Sequence, residues 1–173
     1  MENKRPISGM GGTAVPPKNP RRAALLAVLT AGHGVNDFYS VLLPVLLPVI
    51  ALDFGLNYAQ FGFVFLASTI LSGMFQPLVG FLADRSGLQK QIVISGFILF
   101  AAGLAGLRLA ATFTALVIAA IVYGLGETTF HAQSTNRITT TFAANKGKAM
   151  GIHGLGGSLG NFAAPLTASL VLT

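Results

Sequence analysis

The sequence predicts an all-α membrane protein with five transmembrane helices. Hydrophobic residues make up 53% of the 173 residues and charged residues only 9%, whereas soluble proteins average roughly 25% charged residues. A soluble domain of this composition would lack the polar side chains needed to cover its surface. Cysteine is absent, which excludes disulfide frameworks and thiolate metal sites.

Five apolar stretches are each long enough to cross a bilayer, which takes about 20 residues in a helix. Pro44 and Pro48 are expected to kink the second half of the first stretch, which is tolerated where neighbouring helices satisfy the freed backbone groups. Residues 23–173 are therefore predicted to form one five-helix transmembrane bundle. Its helices cover residues 23–51, 58–82, 91–109, 114–137 and 149–172.

Residues 1–22 are polar, rich in glycine and proline, and carry five basic residues, a composition typical of a disordered segment. A cleaved signal peptide would have an apolar core of about 7–15 residues and a small-residue cleavage site. The apolar stretch after Arg22 continues to Leu52 instead. We therefore expect an uncleaved, disordered basic cytoplasmic tail.

The basic residues also predict the orientation. With the tail in the cytoplasm, ten of the eleven Lys and Arg residues lie on the cytoplasmic side and only Arg108 lies outside, as the positive-inside rule expects. We expect a multi-pass protein of the inner (plasma) membrane, with its N-terminus cytoplasmic and its C-terminus periplasmic or extracellular. Because this topology explains the positive charge, nucleic acid is not an expected partner.

Two pairs of histidine and carboxylate lie inside predicted membrane helices. His33 and Asp37 are four residues apart in the first helix, and Glu127 and His131 are four apart in the fourth. Residues at this spacing share a helix face, as does Asn36 with His33. Ionisable residues within the membrane are costly and usually functional. These five residues are therefore predicted to form a water-lined site that binds substrate or relays protons, with hydrogen bonds that merely join helices as the alternative.

The second helix carries a stripe of small polar residues. Ser68, Ser72 and Gln76 follow one another at four-residue spacing, a pattern that favours a packing face over a binding site. Gln76 is kept as an accessory site residue.

The fifth helix is rich in glycine and carries two polar residues, His153 and Asn161. Its glycines, beginning with Gly147 and Gly151, would allow another helix to come close or the helix itself to bend. His153 either joins His131 or extends towards the lipid headgroups. His153 and Asn161 are predicted as accessory site residues.

Imidazole and carboxylate groups suit divalent cations, but no HxxxH or HExxH pattern is present. We therefore predict neither a metal nor another cofactor, and keep divalent cation transport as a minor alternative. No set of nucleophile, base and orienting group is apparent, so the chain is not expected to be an enzyme.

One connection resembles a known signature. The segment from Gly80 to Gly87 reads Gly-Phe-Leu-Ala-Asp-Arg-Ser-Gly and resembles the loop between helices two and three of the major facilitator superfamily. The basic pair that the family has after the second glycine is absent. The resemblance implies a gating role for Gly80, Asp84, Arg85 and Gly87, because the family's loop interlocks with neighbouring helices.

Three further segments resemble the fosmidomycin-resistance-type branch of that family. They are His33-Gly-x-Asn-Asp-Phe-Tyr, Leu56-x-x-Ala-Gln-x-Gly and Gly124-x-Gly-x-x-x-Phe-His131. The resemblance covers residues 25–173 and corresponds to helices one to five, the N-terminal half of a twelve-helix protein. It implies that helices one and four line the central cavity, and that the protein exports small molecules, often toxic ones, by proton coupling.

A complete member of the family has two six-helix halves with the site between them, and this chain supplies at most five helices of one half. An odd number of helices that ends flush with the membrane is expected of a truncated longer protein. We expect a parallel homodimer, built around a two-fold axis along the membrane normal, or pairing with a separate complementary half. The alternative is a non-transporting fragment or a regulatory or binding protein. The other expected partners are the lipid bilayer, a small-molecule substrate and protons.

Overall fold

The computed structural model of the protein describes residues 19–172, and all regular secondary structure in that part of the chain is helical. The predicted all-α class is confirmed. The predicted tail falls mainly on residues 1–18, outside the described residues. The helices are α1 (Pro20–Phe54), α2 (Tyr58–Ser86), α3 (Gln89–Leu109), α4 (Phe113–Glu127), α5 (Phe130–Thr141) and α6 (Lys146–Leu172), with a 3₁₀ turn at Ala143–Asn145.

Four spans within the described residues are long and apolar enough to cross a membrane: α1, α2, α3, and α4 together with α5. α6 has 27 residues, which corresponds to about 40 Å of helix and suffices for a bilayer. It is less apolar than the other spans because glycines and polar residues interrupt its hydrophobic sequence. The protein is therefore a multi-pass membrane protein.

The helices extend beyond their predicted bounds, as α1 and α2 illustrate. α1 begins at Pro20, because the Asn19 side chain caps the helix by accepting a hydrogen bond from a backbone N–H of the first turn at 3.0 Å. The last three residues of the predicted tail are thus helical. α2 continues to Ser86, so that only two residues separate it from α3. Gly87 ends α2 with φ of +69°, a left-handed conformation that glycine adopts without steric cost.

A reciprocal pair of hydrogen bonds starts α2. The Asn57 side chain accepts from the Gln60 backbone N–H at 2.9 Å, and the Gln60 side chain accepts from the Asn57 N–H at 3.1 Å. This capping box satisfies two backbone donors that a helix start leaves unpaired. The Ala-Gln-x-Gly segment singled out in the sequence therefore has a structural role at this helix start.

The fourth predicted helix is interrupted in its middle. α4 ends at Glu127 and α5 begins at Phe130, with Thr128 and Thr129 forming a turn between them. Both threonine hydroxyls donate to carbonyl groups in the last turn of α4, at 2.8 and 3.2 Å. Such bonds compete with the helical ladder and bend helices. Glu127 and His131 consequently belong to two helical segments, whereas the sequence predicted one continuous helix.

α6 packs along α1, and the contact depends on glycine. A Cβ atom at Gly156 would overlap the backbone of Thr30, and one at Gly160 would overlap the backbone of Gly34. Small residues four apart on facing helices let the two backbones approach closely. Gly156 and Gly160 therefore provide the close helix contact, whereas a Cβ at Gly147 or Gly151, with which the predicted glycine run begins, would meet no atom within 4 Å.

α4 lies between α2 and α3 and is held by further small residues. Gly124 packs against the backbone of Ser68 in α2, and Gly103 of α3 packs against the backbone of Tyr123. Ser68 thus belongs to a packing face, as the spacing of the polar stripe predicts. Buried apolar residues surround this contact: Leu43, Leu47, Val64, Phe100, Leu107, Leu116, Ala119 and Ala120.

The glycine contact of α6 yields a stability prediction. Gly156→Val should lower the thermal stability of the purified chain, because overpacking typically costs about 1–3 kcal/mol. Gly151→Val is the matched control, since Gly151 lies on the same helix and a Cβ there would meet no atom within 4 Å. Thermal unfolding in detergent measures both variants. Equal losses would contradict the close contact, because valine has the same helix propensity at both positions.

Candidate functional site

Four of the five predicted site residues meet around one carboxylate. Asp37 Oδ1 lies 3.4 Å from His33 Nε2, one turn earlier on α1, and 3.5 Å from His131 Nε2 on α5. Asn36 Nδ2 lies 3.0 Å from His131 Nε2 and 3.5 Å from Asp37 Oδ1. Asn36 is almost fully buried, with 1% of its surface exposed. This cluster joins α1 to α5.

α6 closes the cluster from the other side. The carbonyl of His153 lies 2.9 Å from His33 Nδ1, and the two imidazole rings stack with centroids 4.2 Å apart. Asn161 Nδ2 donates to Asp37 Oδ2 at 3.2 Å. His153 is buried, and its Nε2 lies 3.3 Å from Ser134 Oγ. Of the two positions expected for His153, the structure therefore shows the one beside the other histidines rather than the one at the headgroups.

Glu127 lies apart from this cluster. Its Oε2 accepts a hydrogen bond from Ser72 of α2 at 3.1 Å, and among the described residues no hydrogen bond or ion pair joins it to His131. The turn after α4 separates the two residues that the sequence placed on one helix face. The sequence favours a packing role for Ser72, but its position one turn from Ser68 places it on the face towards α4, where its hydroxyl reaches Glu127. Gln76 lies a further turn along α2 and is half-buried.

A cavity of about 370 Å³ connects Glu127 with the histidine cluster. Its volume falls within the range of about 300–1,000 Å³ that is usual for small-molecule sites. α1, α4, α5 and α6 all contribute to its wall. The lining residues are Asp37, Ser40, Val41, Pro44, Glu127, His131 and Asn161.

Three of these lining residues were not predicted. Ser40, Val41 and Pro44 follow Asp37 at three, four and seven residues. Residues at these spacings lie on one helix face, so these three lining residues could have been predicted from the position of Asp37. The predicted participation of the first and fourth helices agrees with the observed wall.

The cavity contains two carboxylates without an arginine or lysine partner among the described residues. The ion pairs that Asp37 makes there are both with histidines, and Asn161 and Ser72 supply neutral donors to the two carboxylates. A carboxylate in a membrane span without a basic partner is costly, and such residues are usually functional.

Two residues of the predicted gating loop, Gly80 and Asp84, lie against α5. Asp84 accepts a hydrogen bond from Asn136 Nδ2 at 3.3 Å, and a Cβ at Gly80 would lie 3.8 Å from a side chain of α5. The guanidinium of exposed Arg85 lies 6.0 Å from an aromatic ring one turn earlier. Most of the predicted loop is helical, because Gly87 alone adopts the left-handed conformation that ends α2.

Comparisons with known proteins agree with this architecture. The family model described as Major Facilitator Superfamily matches residues 28–173. The fosmidomycin resistance protein of Escherichia coli (strain K12) is 27% identical over 171 residues, which cover 99% of this chain and 41% of that protein. The uncharacterized MFS-type transporter YfnC of Bacillus subtilis (strain 168) is 26% identical over 148 residues, which cover 86% of this chain and 36% of that protein. No solved structure matches the chain significantly.

Packing around the cluster yields a second prediction. A methyl group at Gly157 would lie 2.6 Å from Asp37 Oδ2 and 2.7 Å from His33 Cε1, so Gly157→Ala should displace both side chains. Gly154→Ala is the control, because a Cβ there would meet nothing within 4 Å. The chain has only three histidines, so nuclear magnetic resonance of ¹⁵N-labelled histidine can resolve each ring. We expect Gly157→Ala to shift the His33 signals and Gly154→Ala to leave them in place; unchanged His33 signals in both variants would contradict the described packing.

Proposed function

The chain belongs to the major facilitator superfamily of membrane transporters, and on that premise we propose that it forms one half of a proton-coupled exporter of small molecules. The chain spans about two-fifths of the length of the curated relatives that it matches. In this proposal the cavity described above is one wall of a transport pathway.

One observation carries the proposal: Asp37 and Glu127 face the same cavity inside apolar membrane spans. Placing a carboxylate within a bilayer is costly, and such residues mark substrate or proton pathways. In transporters built from repeats, the site lies near the bilayer midplane at the interface between repeats. The open side of this cavity is where a second half would lie.

Asp37 is the residue that we assign to proton exchange. Two imidazole nitrogens lie 3.4 and 3.5 Å from its Oδ1, and Asn161 of α6 donates to its Oδ2. Hydrogen bonds to a charged acceptor are roughly twice as strong as neutral ones, so neutralising Asp37 weakens its bond from Asn161 of α6 and removes its attraction for a protonated His131 of α5. Proton binding would thereby be coupled to the arrangement of three helices.

Glu127 is the second carboxylate of the proposed pathway. Its hydrogen bond to Ser72 ties the end of α4 to α2, and its position on the cavity wall leaves it accessible to substrate. Substrate and proton would compete for the carboxylates of this cavity. Binding of one can therefore favour release of the other.

The partner that we propose is a second copy of the chain, arranged in parallel. Pro44 and Asn161 line the cavity and are exposed, so that lipid would reach the carboxylates unless protein covers this side. A two-fold axis along the membrane normal would place two such walls face to face. A separate complementary half is the alternative arrangement.

The proposed location is the inner (plasma) membrane, with the N-terminus cytoplasmic. The support is the distribution of basic residues, ten of which fall on one side of the spans. Basic residues in short connections set the orientation of membrane proteins in this way.

Proton flux tests the proposed transport. In proteoliposomes with a pH-sensitive dye inside, we expect substrate-dependent proton movement that falls to background in Asp37→Asn and in Glu127→Gln, because the amides keep the shape but cannot exchange a proton. Asp53→Asn is the matched control, since Asp53 lies on the same helix and is exposed outside the cavity. Fosmidomycin is the first test compound, because the E. coli relative is named for resistance to it. No flux with it or with a panel of small toxic compounds would contradict transport and favour a binding protein.

Cross-linking tests the parallel pairing. The chain has no cysteine, so a single introduced thiol reports on one position. Ser158→Cys lies on the exposed face of α6 beside Asn161, and a bifunctional thiol reagent should link two copies there in native membranes. Ile98→Cys is the control, because Ile98 is 62% exposed on α3, which does not line the cavity. Monomer alone at every expression level, or equal linking at both positions, would contradict the dimer.

A further inference from the structure

We infer that His33, Asp37 and His131 form a binding site for one borderline divalent transition-metal ion, of the Zn²⁺, Co²⁺ or Ni²⁺ class. One ligand atom from each of these residues lies within 4.8 Å of the other two. The sequence predicted no metal because no single helix carries paired histidines. The fold supplies the second histidine from α5.

Two of the three separations between ligand atoms match the geometry of a bound ion, and all three lie within 4.8 Å. Ligand atoms that lie about 2.0–2.1 Å from a tetrahedral ion are about 3.3–3.5 Å from each other. Asp37 Oδ1 lies 3.4 Å from His33 Nε2 and 3.5 Å from His131 Nε2. Both separations are long for a hydrogen bond between nitrogen and a carboxylate, which is usually about 2.7–2.9 Å when charged, and both fit a shared cation.

Hydrogen bonding assigns the free electron pair of His33. Its Nδ1 lies 2.9 Å from the carbonyl oxygen of His153, and a carbonyl only accepts hydrogen bonds. The proton of a neutral His33 ring therefore sits on Nδ1, and the electron pair of Nε2 points towards Asp37. Histidines that bind metals are oriented in the same way, by donating their other ring nitrogen to a carbonyl or carboxylate.

His131 presents its Nε2 to the same point. The amide Nδ2 of Asn36 lies 3.0 Å from this nitrogen, and an amide nitrogen only donates, so Nε2 of His131 also carries an electron pair. Two ring nitrogens and a carboxylate oxygen thus converge as acceptors. In the structure Asn36 Nδ2 donates to the electron pair of His131, and a cation bound between the three acceptors would take the place of that donor.

The donor set selects the class of ion. Two imidazoles and one carboxylate suit borderline transition metals, whereas Mg²⁺ and Ca²⁺ prefer oxygen ligands throughout. An ion can reach the three residues from the cavity, because the side chain of His131 is 34% exposed and lines the cavity with Asp37. Three protein ligands with one side open to the cavity leave a position for water or another ligand.

The metal site shares Asp37 and His131 with the proposed transport pathway, and so rests on the cavity being accessible, but it does not require transport. Co²⁺ is the probe, because its visible absorption reports tetrahedral coordination by nitrogen and oxygen. We expect the purified full chain, after removal of any purification tag, to bind one Co²⁺ and to release it to Zn²⁺ but not to equal Mg²⁺.

The variants decide whether the three residues are the ligands. Asp37→Asn, His33→Asn and His131→Asn should each lower Co²⁺ affinity at least about tenfold, since loss of an outer-shell partner alone typically costs that much. Asp53→Asn is the control for a carboxylate on the same helix and should bind like the unchanged chain. Circular dichroism and monodisperse elution establish that each variant is folded.

The outcomes separate this proposal from transport. Absence of saturable Co²⁺ binding by the folded chain would overturn the metal site, as would equal affinity for Mg²⁺ or equal losses in Asp37→Asn and Asp53→Asn. A chain that moves protons with substrate yet binds no Co²⁺ would overturn the metal site alone. A chain that binds Co²⁺ through these residues and moves no substrate would support the metal site and overturn the transport proposal.

Discussion

The close approach of α6 to α1 is the constraint on which the rest of the site depends. Gly156 and Gly160 allow the two backbones to meet, and that contact places the carbonyl of His153 against His33 and the amide of Asn161 against Asp37. In a bilayer, where lipid tails are as apolar as the helices, close packing and interhelical hydrogen bonds hold helices together. The glycine contact supplies the close packing, and it positions the His153 carbonyl as an acceptor and the Asn161 amide as a donor.

A second constraint is the negative charge of the two carboxylates, Asp37 and Glu127. Asp37 receives contacts from α1, α5 and α6, while Glu127 receives one from α2. Neither has a lysine or arginine partner among the described residues. Their compensation depends on imidazoles and neutral donors, which respond to protons and ions in a way that a fixed guanidinium does not. This explains why one set of residues can support both the proton-exchange role and the metal site proposed above.

Much of this arrangement could be predicted from the sequence. The i, i+4 spacing of His33 and Asp37 survives because α1 is continuous there. Asn161 is among the predicted accessory residues, but its partner Asp37 depends on how α6 packs against α1. The relation of Glu127 to His131 could not be predicted, because two threonine hydroxyls between them bond to the preceding carbonyls and interrupt the helix. Nor does the sequence alone show which glycines of α6 pack, since this depends on the face that α6 turns towards α1. Gly151 meets open space and Gly156 meets a backbone, although both lie in the same glycine-rich run.

The turn at Thr128 and Thr129 has a mechanical consequence. It leaves α5 as a separate helix of 12 residues, about 18 Å long at the usual helical rise. His131, in its first turn, is tied to Asp37, and Asn136, further along, is tied to Asp84 at the end of α2. A short helix is stiff along its axis, so a displacement at one attachment is transmitted to the other. α5 thereby connects Asp37 in the interior of the bundle with Asp84 at its surface.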